Sequence, residues 1–279
     1  MVSIFLSRVS PPPWPLANLT SAERTVLPVK TRLLRNTLGL AGAAILAGLT
    51  TPARAEEPAA PQSAVVWQQI GEARGIVGMA ATAGKLFAAT STNKLLVCDP
   101  AVTPVVWKEI GESPGGVVAM GVADGKLFAS TSTRSGTLHM REAADTTAAW
   151  QHIGHCWCCV GMAGTASAPG MIYGAIVVNN GSAGVAESIM VRATTPTDVP
   201  WGSSKTTSRP PPGILAFAEV AGKFYAATRE DDLLVGSVAQ ADAPWQAIGD
   251  AAGVTILAGG DGKLYAATKT GRLLMWEPK

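Results

Sequence analysis

A chain of 279 residues has room for one large domain or two small ones. With 47% hydrophobic residues, only 15% charged residues and 30 glycines, it is not expected to be disordered or built from long solvated helices. The formal net charge of +2 hides a division: residues 1–55 hold six Lys/Arg and one acid, leaving 16 basic and 19 acidic residues from Glu56 onward. Such a mildly acidic body lacks the basic footprint of nucleic-acid binding, and no nucleic-acid partner is expected.

Taken in order, the chain first presents Lys30, Arg32 and Arg35, then an uncharged run rich in Leu and Ala from Thr37 to Leu49, then Ala53-Arg54-Ala55. A basic region, a short apolar core and small residues at the two positions a signal peptidase reads are the parts of a secretory signal peptide. The run is 13 residues long, well short of the ~20 that a bilayer-spanning helix requires. We expect cleavage after Ala55, export to a periplasmic or secreted location, and no membrane span in the mature protein. Residues 1–28, with Pro11-Pro12-Pro13, fit no region of a signal peptide and are read as preceding a translation start near Val26 or Val29. Residues 56–64 are a polar, Pro/Ala-rich linker.

From Val65 onward the chain repeats itself. Trp67, Trp107, Trp150, Trp201 and Trp245 are spaced by 40, 43, 51 and 44 residues. Ile-Gly follows at Ile70-Gly71, Ile110-Gly111, Ile153-Gly154 and Ile248-Gly249, and is lost after Trp201. Each copy continues into Gly, then Lys in most copies, then an apolar and aromatic run, as in Gly84-Lys85-Leu86-Phe87 and Gly262-Lys263-Leu264-Tyr265. A period in this range marks a repeat architecture.

Each copy divides into four short apolar runs bounded by turn residues. In the first they are Gly75–Thr82, Lys85–Thr90, Lys94–Asp99 and Val105–Ile110, and they read as strands. Ala83-Gly84, Asp124-Gly125 and Asp261-Gly262 fall where a tight hairpin needs positive φ. The reading is all-β: a five-bladed β-propeller of four-stranded antiparallel blades over residues 65–279. The segment around Val65–Ile70 completes the last blade as its outermost strand and closes the ring without a free edge. The five repeat tryptophans are read as inter-blade packing residues.

The pattern carried by Trp67, Ile70, Gly71, Gly84, Leu86 and Phe87, with their counterparts in the other copies, resembles the tachylectin and tectonin group of β-propeller lectins. The resemblance spans everything from about Val65 to the end. It implies a secreted or surface-acting protein that binds N-acetylated sugars or microbial envelope glycans at repeated sites between blades. The Gly-Gly-Trp that follows Ile-Gly in tachylectins is absent from four of the five copies; only Trp157 falls in that region.

The loop after Ile-Gly and the loop between the second and third strands are expected on one face. There the copies place Glu72, Glu112, His155 and Asp250, with companion loops such as Ser91-Thr92-Asn93 and Arg229-Glu230-Asp231. Trp157, with Asn179 and Asn180 in the companion loop of the same blade, is the strongest candidate ligand site, because an indole stacks on a sugar's apolar face while amides bind its hydroxyls. Glu72, Glu112 and Asp250 are weaker equivalents. The stretch His152 to Cys159 offers an alternative chemistry. His155, Cys156 and Cys158 could hold copper or zinc, against a local disulfide from Cys156 to Cys158 or Cys159. Cys98 is expected to pack as a small apolar residue.

Enzymatic readings find little support. Five-bladed glycosidases need paired carboxylates near the axis, yet the inner strands, read as Ile76–Ala81, Val117–Val122, Val160–Ala163, Ile214–Ala218 and Val254–Gly259, contain no acid. The motifs of serine hydrolases, P-loop NTPases and zinc proteases are also absent. The expectation is a monomeric, cofactor-free, non-enzymatic protein that binds a glycan or cell-envelope ligand. A protein-interaction or metal-handling propeller is the alternative, with a secreted hydrolase behind it.

Overall fold

The structure, a computed structural model, describes residues 65–132, 136–156, 159–176, 188–195, 200–203, 211–237, 243–251 and 253–279. The leader, the linker, Trp157, Cys158, Asn179 and Asn180 lie outside the described residues. Among the described residues, twenty strands form five four-stranded antiparallel sheets. Blade 1 holds β2 (Ile76–Thr82), β3 (Lys85–Thr90), β4 (Lys94–Cys98) and β5 (Lys108–Glu112). Blade 2 holds β6 (Val117–Ala123), β7 (Lys126–Thr131), β8 (Thr137–Glu142) and β9 (Gln151–His155). Blade 3 holds β10 (Cys159–Gly164), β11 (Met171–Ile176), β12 (Ser188–Ala193) and the short β13 (Gly202–Ser203). Blade 4 holds β14 (Ile214–Val220), β15 (Lys223–Thr228), β16 (Asp232–Ser237) and β17 (Gln246–Asp250). Blade 5 holds β18 (Val254–Gly260), β19 (Lys263–Thr268), β20 (Arg272–Trp276) and, as its outermost strand, β1 (Gln68–Glu72).

The first strand of each blade touches the first strand of both neighbours: β2 meets β6, β6 meets β10, β10 meets β14, β14 meets β18, and β18 meets β2. This cycle closes a five-bladed propeller. Small residues let the inner strands approach. A Cβ added to Gly121 would lie 2.4 Å from the carbonyl oxygen of Met162, and one added to Gly259 would lie 1.8 Å from that of Glu219. The inner strands leave an axial cavity of only about 20 Å³, roughly the space of one water molecule.

Inner hairpins turn through residues with both central φ values positive: Ala83-Gly84, Asp124-Gly125, Ala221-Gly222 and Asp261-Gly262, the geometry that matches the twist of the paired strands. Across each hairpin a small residue faces an aromatic ring: Ala80 and Phe87, Gly121 and Phe128, Ala163 and Tyr173, Ala218 and Tyr225, Ala258 and Tyr265. Those rings fill the space between blades that the small residues leave.

Two expectations are corrected. The fourth run of the first copy was read as Val105–Ile110, but the strand begins at Lys108. Val105 is drawn out of the sheet to pack on the Cα of Gly71 in blade 5, where an added Cβ would sit 3.0 Å from Val105 Cβ. The inner strand of blade 4 was ended at Ala218, but β14 runs on to Val220 and so carries an acid, Glu219. Its burial pushes the carboxyl above its ordinary range, against hydrogen bonds from the Gly222 N–H and the Thr165 hydroxyl. Those two donors let a carboxylate sit among apolar inner strands.

Candidate seam groove between blades 4 and 5

The outer-strand tryptophans set the geometry of every interface. Trp107 Nε1 donates to the carbonyl of Glu72 at 2.8 Å, Trp150 to Glu112 at 3.0 Å, Trp201 to His155 at 2.9 Å and Trp67 to Asp250 at 3.1 Å. Each bond ties one blade's outer strand to the end of its neighbour's. Trp245 follows blade 3, whose copy lost Ile-Gly, and its buried Nε1 has no hydrogen-bond partner among the described residues. The packing reading of these residues therefore extends to a specific hydrogen bond.

The two loops expected on one face do meet. In four blades the residue after the outer strand donates its N–H to the companion loop: Ala73 to Gly271, Ser113 to Asn93, Cys156 to Gly136 and Ala251 to Asp231. Asn93 and Asp231 also cap the following turn, accepting from Gly116 N at 3.2 Å and Gly253 N at 3.0 Å. Their side chains are thus engaged in holding the loops.

Glu72, Glu112 and Asp250 occupy equivalent ends of the outer strands of three separate blades and are not brought together. Glu72 pairs with Arg74 at 3.0 Å on the surface. Glu112 faces Lys94 across the strand pair; the Lys94 ammonium is pushed above its ordinary range mainly by its hydrogen bond with Glu109 and by that carboxylate's charge, with a smaller share from Glu112.

Cys156 and Cys159 form a disulfide with a Cα–Cα separation of 6.4 Å, within the span such a bond can bridge. It links the end of β9 in blade 2 to the start of β10 in blade 3. The Cys156 sulfur is thereby withdrawn from the ligand set His155, Cys156 and Cys158. Cys98 is buried in the core cluster that includes Trp107. Burial, with a smaller push from Asp99, moves its thiol up to about 12, so it behaves as the apolar residue expected.

One third-strand position varies sharply from blade to blade, and it lies against the outer tryptophan each time. Cys98 shares a cluster with Trp107. Arg141 and Arg192 lie over Trp150 and Trp201, 5.6 Å and 5.9 Å from the ring centroids. Gly236 leaves no room for a Cβ, which would fall 2.8 Å from Trp245. In blade 5 the residue is Trp276, edge-to-face with Trp67 at 6.2 Å and with Tyr225 of blade 4 at 5.9 Å.

Beside this aromatic trio a groove of about 660 Å³ opens between blades 4 and 5, within the size range of small-molecule sites. Tyr225, Val235, Ile248, Met275 and Trp276 supply its apolar surface; Gln68, Gln246, Lys223 and Glu277 supply polar groups. Tyr225 is buried, and its phenol is pushed upward by that burial and by the nearby charge of Glu219. The groove falls at the ring seam. In blade 1 the chain from Asp99 to Trp107 joins the third strand to the outer one, whereas in blade 5 the outer strand arrives from the N-terminal side and no such connection crosses. Sequence reading missed this site, since its parts come from β1, β15, β16, β17 and β20.

No family model matches the chain, and no curated protein matches it. Among solved structures it is similar to a chain of the Nidogen/Laminin complex, at 8% identity and a TM-score of 0.45, over 74% of this chain and 81% of that one. It is also similar to YjhT, at 12% identity and a TM-score of 0.44, over 70% and 73%. A third is the computationally designed Ika8 protein, at 13% identity and a TM-score of 0.35, over 73% and 71%.

Proposed function

We propose that this chain is an exported, non-enzymatic β-propeller that binds a glycan in the groove between blades 4 and 5. The observation that carries the reading is the groove itself: an apolar floor containing a half-buried indole, bordered by two amides, the ammonium groups of Lys223 and Lys279 and the carboxylate of Glu277. A sugar ring offers one face of C–H groups and a rim of hydroxyls. It can stack on Trp276 while Gln68 and Gln246 exchange hydrogen bonds with its edge. The likeness to tachylectin repeats, whose sites lie between blades, points the same way. The non-enzymatic part rests on the inner strands, where Glu219 is the sole acid, while glycoside hydrolysis calls for a pair.

A glycan array probed with oxidised protein spanning Glu56–Lys279, followed by titration calorimetry on the best hit, tests the proposal. Trp276→Ala should weaken binding at least about tenfold, as loss of a central aromatic contact does. Trp157→Ala serves as the comparison: if it removes binding and Trp276→Ala does not, the ligand sits on the blade 3 rim. Release of reducing sugar from the bound glycan would instead make the protein a hydrolase.

A further inference from the structure

Four of the five blades begin their second strand with a lysine: Lys85, Lys126, Lys223 and Lys263. The sheet register sets one third-strand position opposite each of them. In three blades that position holds an acid, and the two groups pair: Lys85 with Asp99 at 3.0 Å, Lys126 with Glu142 at 3.8 Å and Lys263 with Glu277 at 3.3 Å. Opposite charges facing each other across strands are a recurring stabilising contact of a sheet. Blade 3 has lost both members, with Met171 opposite Ala193. Blade 4 keeps the lysine and loses the acid, so that Lys223 stands opposite Ser237. Among the described residues no carboxylate pairs with the Lys223 ammonium. The one lysine of the four left without its counter-charge is also the one that lines the groove between blades 4 and 5.

Side chains two apart on a strand share a face, so Lys223 stands beside Tyr225, whose ring meets Trp276 edge-to-face at 5.9 Å. Lys223 is exposed, and a lysine stem can follow an apolar wall while its ammonium stays at the opening. Glu277 borders the groove too, but its carboxylate is held by Lys263. Resting on the reading of this groove as a glycan site, we infer that its ligand is an acidic glycan, with a carboxylate on the sugar that enters, and that Lys223 binds this carboxylate. The ligand then supplies the acid that Asp99, Glu142 and Glu277 supply in the sister blades, while its ring lies on Trp276. A solitary exposed lysine is ordinary surface chemistry. Here the repeat's own pairing shows which group the position accepts, and the aromatic floor beside it offers a place for the ring that carries it. An ammonium meets a carboxylate as a point charge through a charge-assisted hydrogen bond. At an open site such a pair adds little in water, so the carboxylate should set selectivity while stacking provides most of the affinity.

The test is an array of oligosaccharides ending in N-acetylneuraminic, glucuronic or galacturonic acid, each placed beside the same glycan with its carboxyl reduced to the primary alcohol. It is probed with oxidised protein spanning Glu56–Lys279. At least one acidic glycan should bind about fivefold more tightly than its reduced counterpart. Lys223→Gln keeps the stem and should erase that difference by weakening the acidic member alone. Ser237→Glu should erase it as well, by restoring the ion pair of the sister blades. Lys85→Gln removes the same charge from blade 1 and should leave the preference intact. If Ser237→Glu fails to fold, Lys223→Gln decides alone, since it alters an exposed side chain. Equal binding of acidic and reduced glycans, both lost in Trp276→Ala, would overturn this inference and leave the glycan reading standing. Binding of no glycan at all, acidic or neutral, would overturn both. A preference for acid that survives Lys223→Gln, or that disappears in Lys85→Gln, would also overturn it.

Discussion

Between blades 5 and 1, Trp107 packs with Cys98, Val105 sits on Gly71, and Tyr265 fills the gap from the neighbouring blade. Between blades 4 and 5 the same parts recur: Trp67 packs with Trp276, Val65 sits on Gly249, and Tyr225 comes from the neighbour. At the first interface the chain from Asp99 to Trp107 joins the third strand of blade 1 to its outer strand and lays Val105 against blade 5, and the second opens into the groove. The repeat thus supplies the scaffold at every interface. One varied residue and one missing connection set the seam apart from the ordinary interface.

The largest expected effect comes from the tryptophans themselves. Trp107→Ala removes a half-buried indole and its hydrogen bond to Glu72, and should cost about 3 kcal/mol in urea unfolding. Trp276→Ala opens onto a groove already exposed to water and should cost about 1 kcal/mol, because less apolar area is lost. Equal losses for the two would mean that the seam is packed as tightly as the ordinary interface, and the comparison would fail.

Most of the ring could be read from the sequence because it depends on local chemistry repeated five times. Ala-Gly and Asp-Gly pairs dictate the inner hairpins, and an extra Trp67 ahead of the first full copy announces the closure by β1. The groove could not be read so, because Gln68 and Trp276 are neighbours only once the ring closes. Glu219 was missed because the inner strand of blade 4 was ended at Ala218, two residues too soon. Asn93 and Asp231 belong to loops read as ligand-facing, but positive φ and the donors of the next turn recruit them as caps. Trp157, Asn179 and Asn180 were read as a site from one indole and two amides in the loops of a single blade, and they lie outside the described residues.

Substitution of the Ile-Gly glycines examines the part that both interfaces share. A Cβ at Gly71 would come within 3.0 Å of Val105 Cβ, and one at Gly249 within 2.8 Å of Val65 Cβ. Gly71→Ala and Gly249→Ala should each cost about 2 kcal/mol, the usual price of overpacking. If Gly249→Ala proved neutral while Gly71→Ala did not, Val65 would be loosely held, and the seam would be more open than its groove already makes it.

A smaller contrast isolates the tryptophan hydrogen bond. Trp107→Phe removes the donor to Glu72 and should cost about 1 kcal/mol beyond the loss of ring area. Trp245→Phe removes an N–H that has no partner among the described residues, so the same exchange should be close to neutral. Thermal unfolding of the two variants side by side reads the difference. Equal destabilisation would mean that Trp245 finds a partner in solution and that the blade 3 interface is closed like the others.

The smallest effect concerns the charge of Glu219 on the inner strand of blade 4. Burial raises the Glu219 carboxyl in the folded state above its ordinary value of 4.5. For an acid shifted upward, the associated stability is fully present below the unfolded value and is lost as pH rises through the folded one. Between about pH 4 and neutrality the wild type should therefore lose stability relative to Glu219→Gln, whose side-chain oxygen still accepts from Gly222 and Thr165. Urea unfolding of both proteins at pH 4 and pH 7 gives the sign. The seam should respond as well. The Glu219 charge helps push the Tyr225 phenol upward, so Glu219→Gln should lower the pH at which Tyr225 ionises, followed by ultraviolet difference titration. At the closed interface Tyr265 is pushed up to about 12, first by burial and then by Asp261; it should not move in the same variant, which serves as its internal control. A wild type more stable than Glu219→Gln at pH 7 would mean that the two hydrogen bonds to the ionised carboxylate outweigh the burial of its charge.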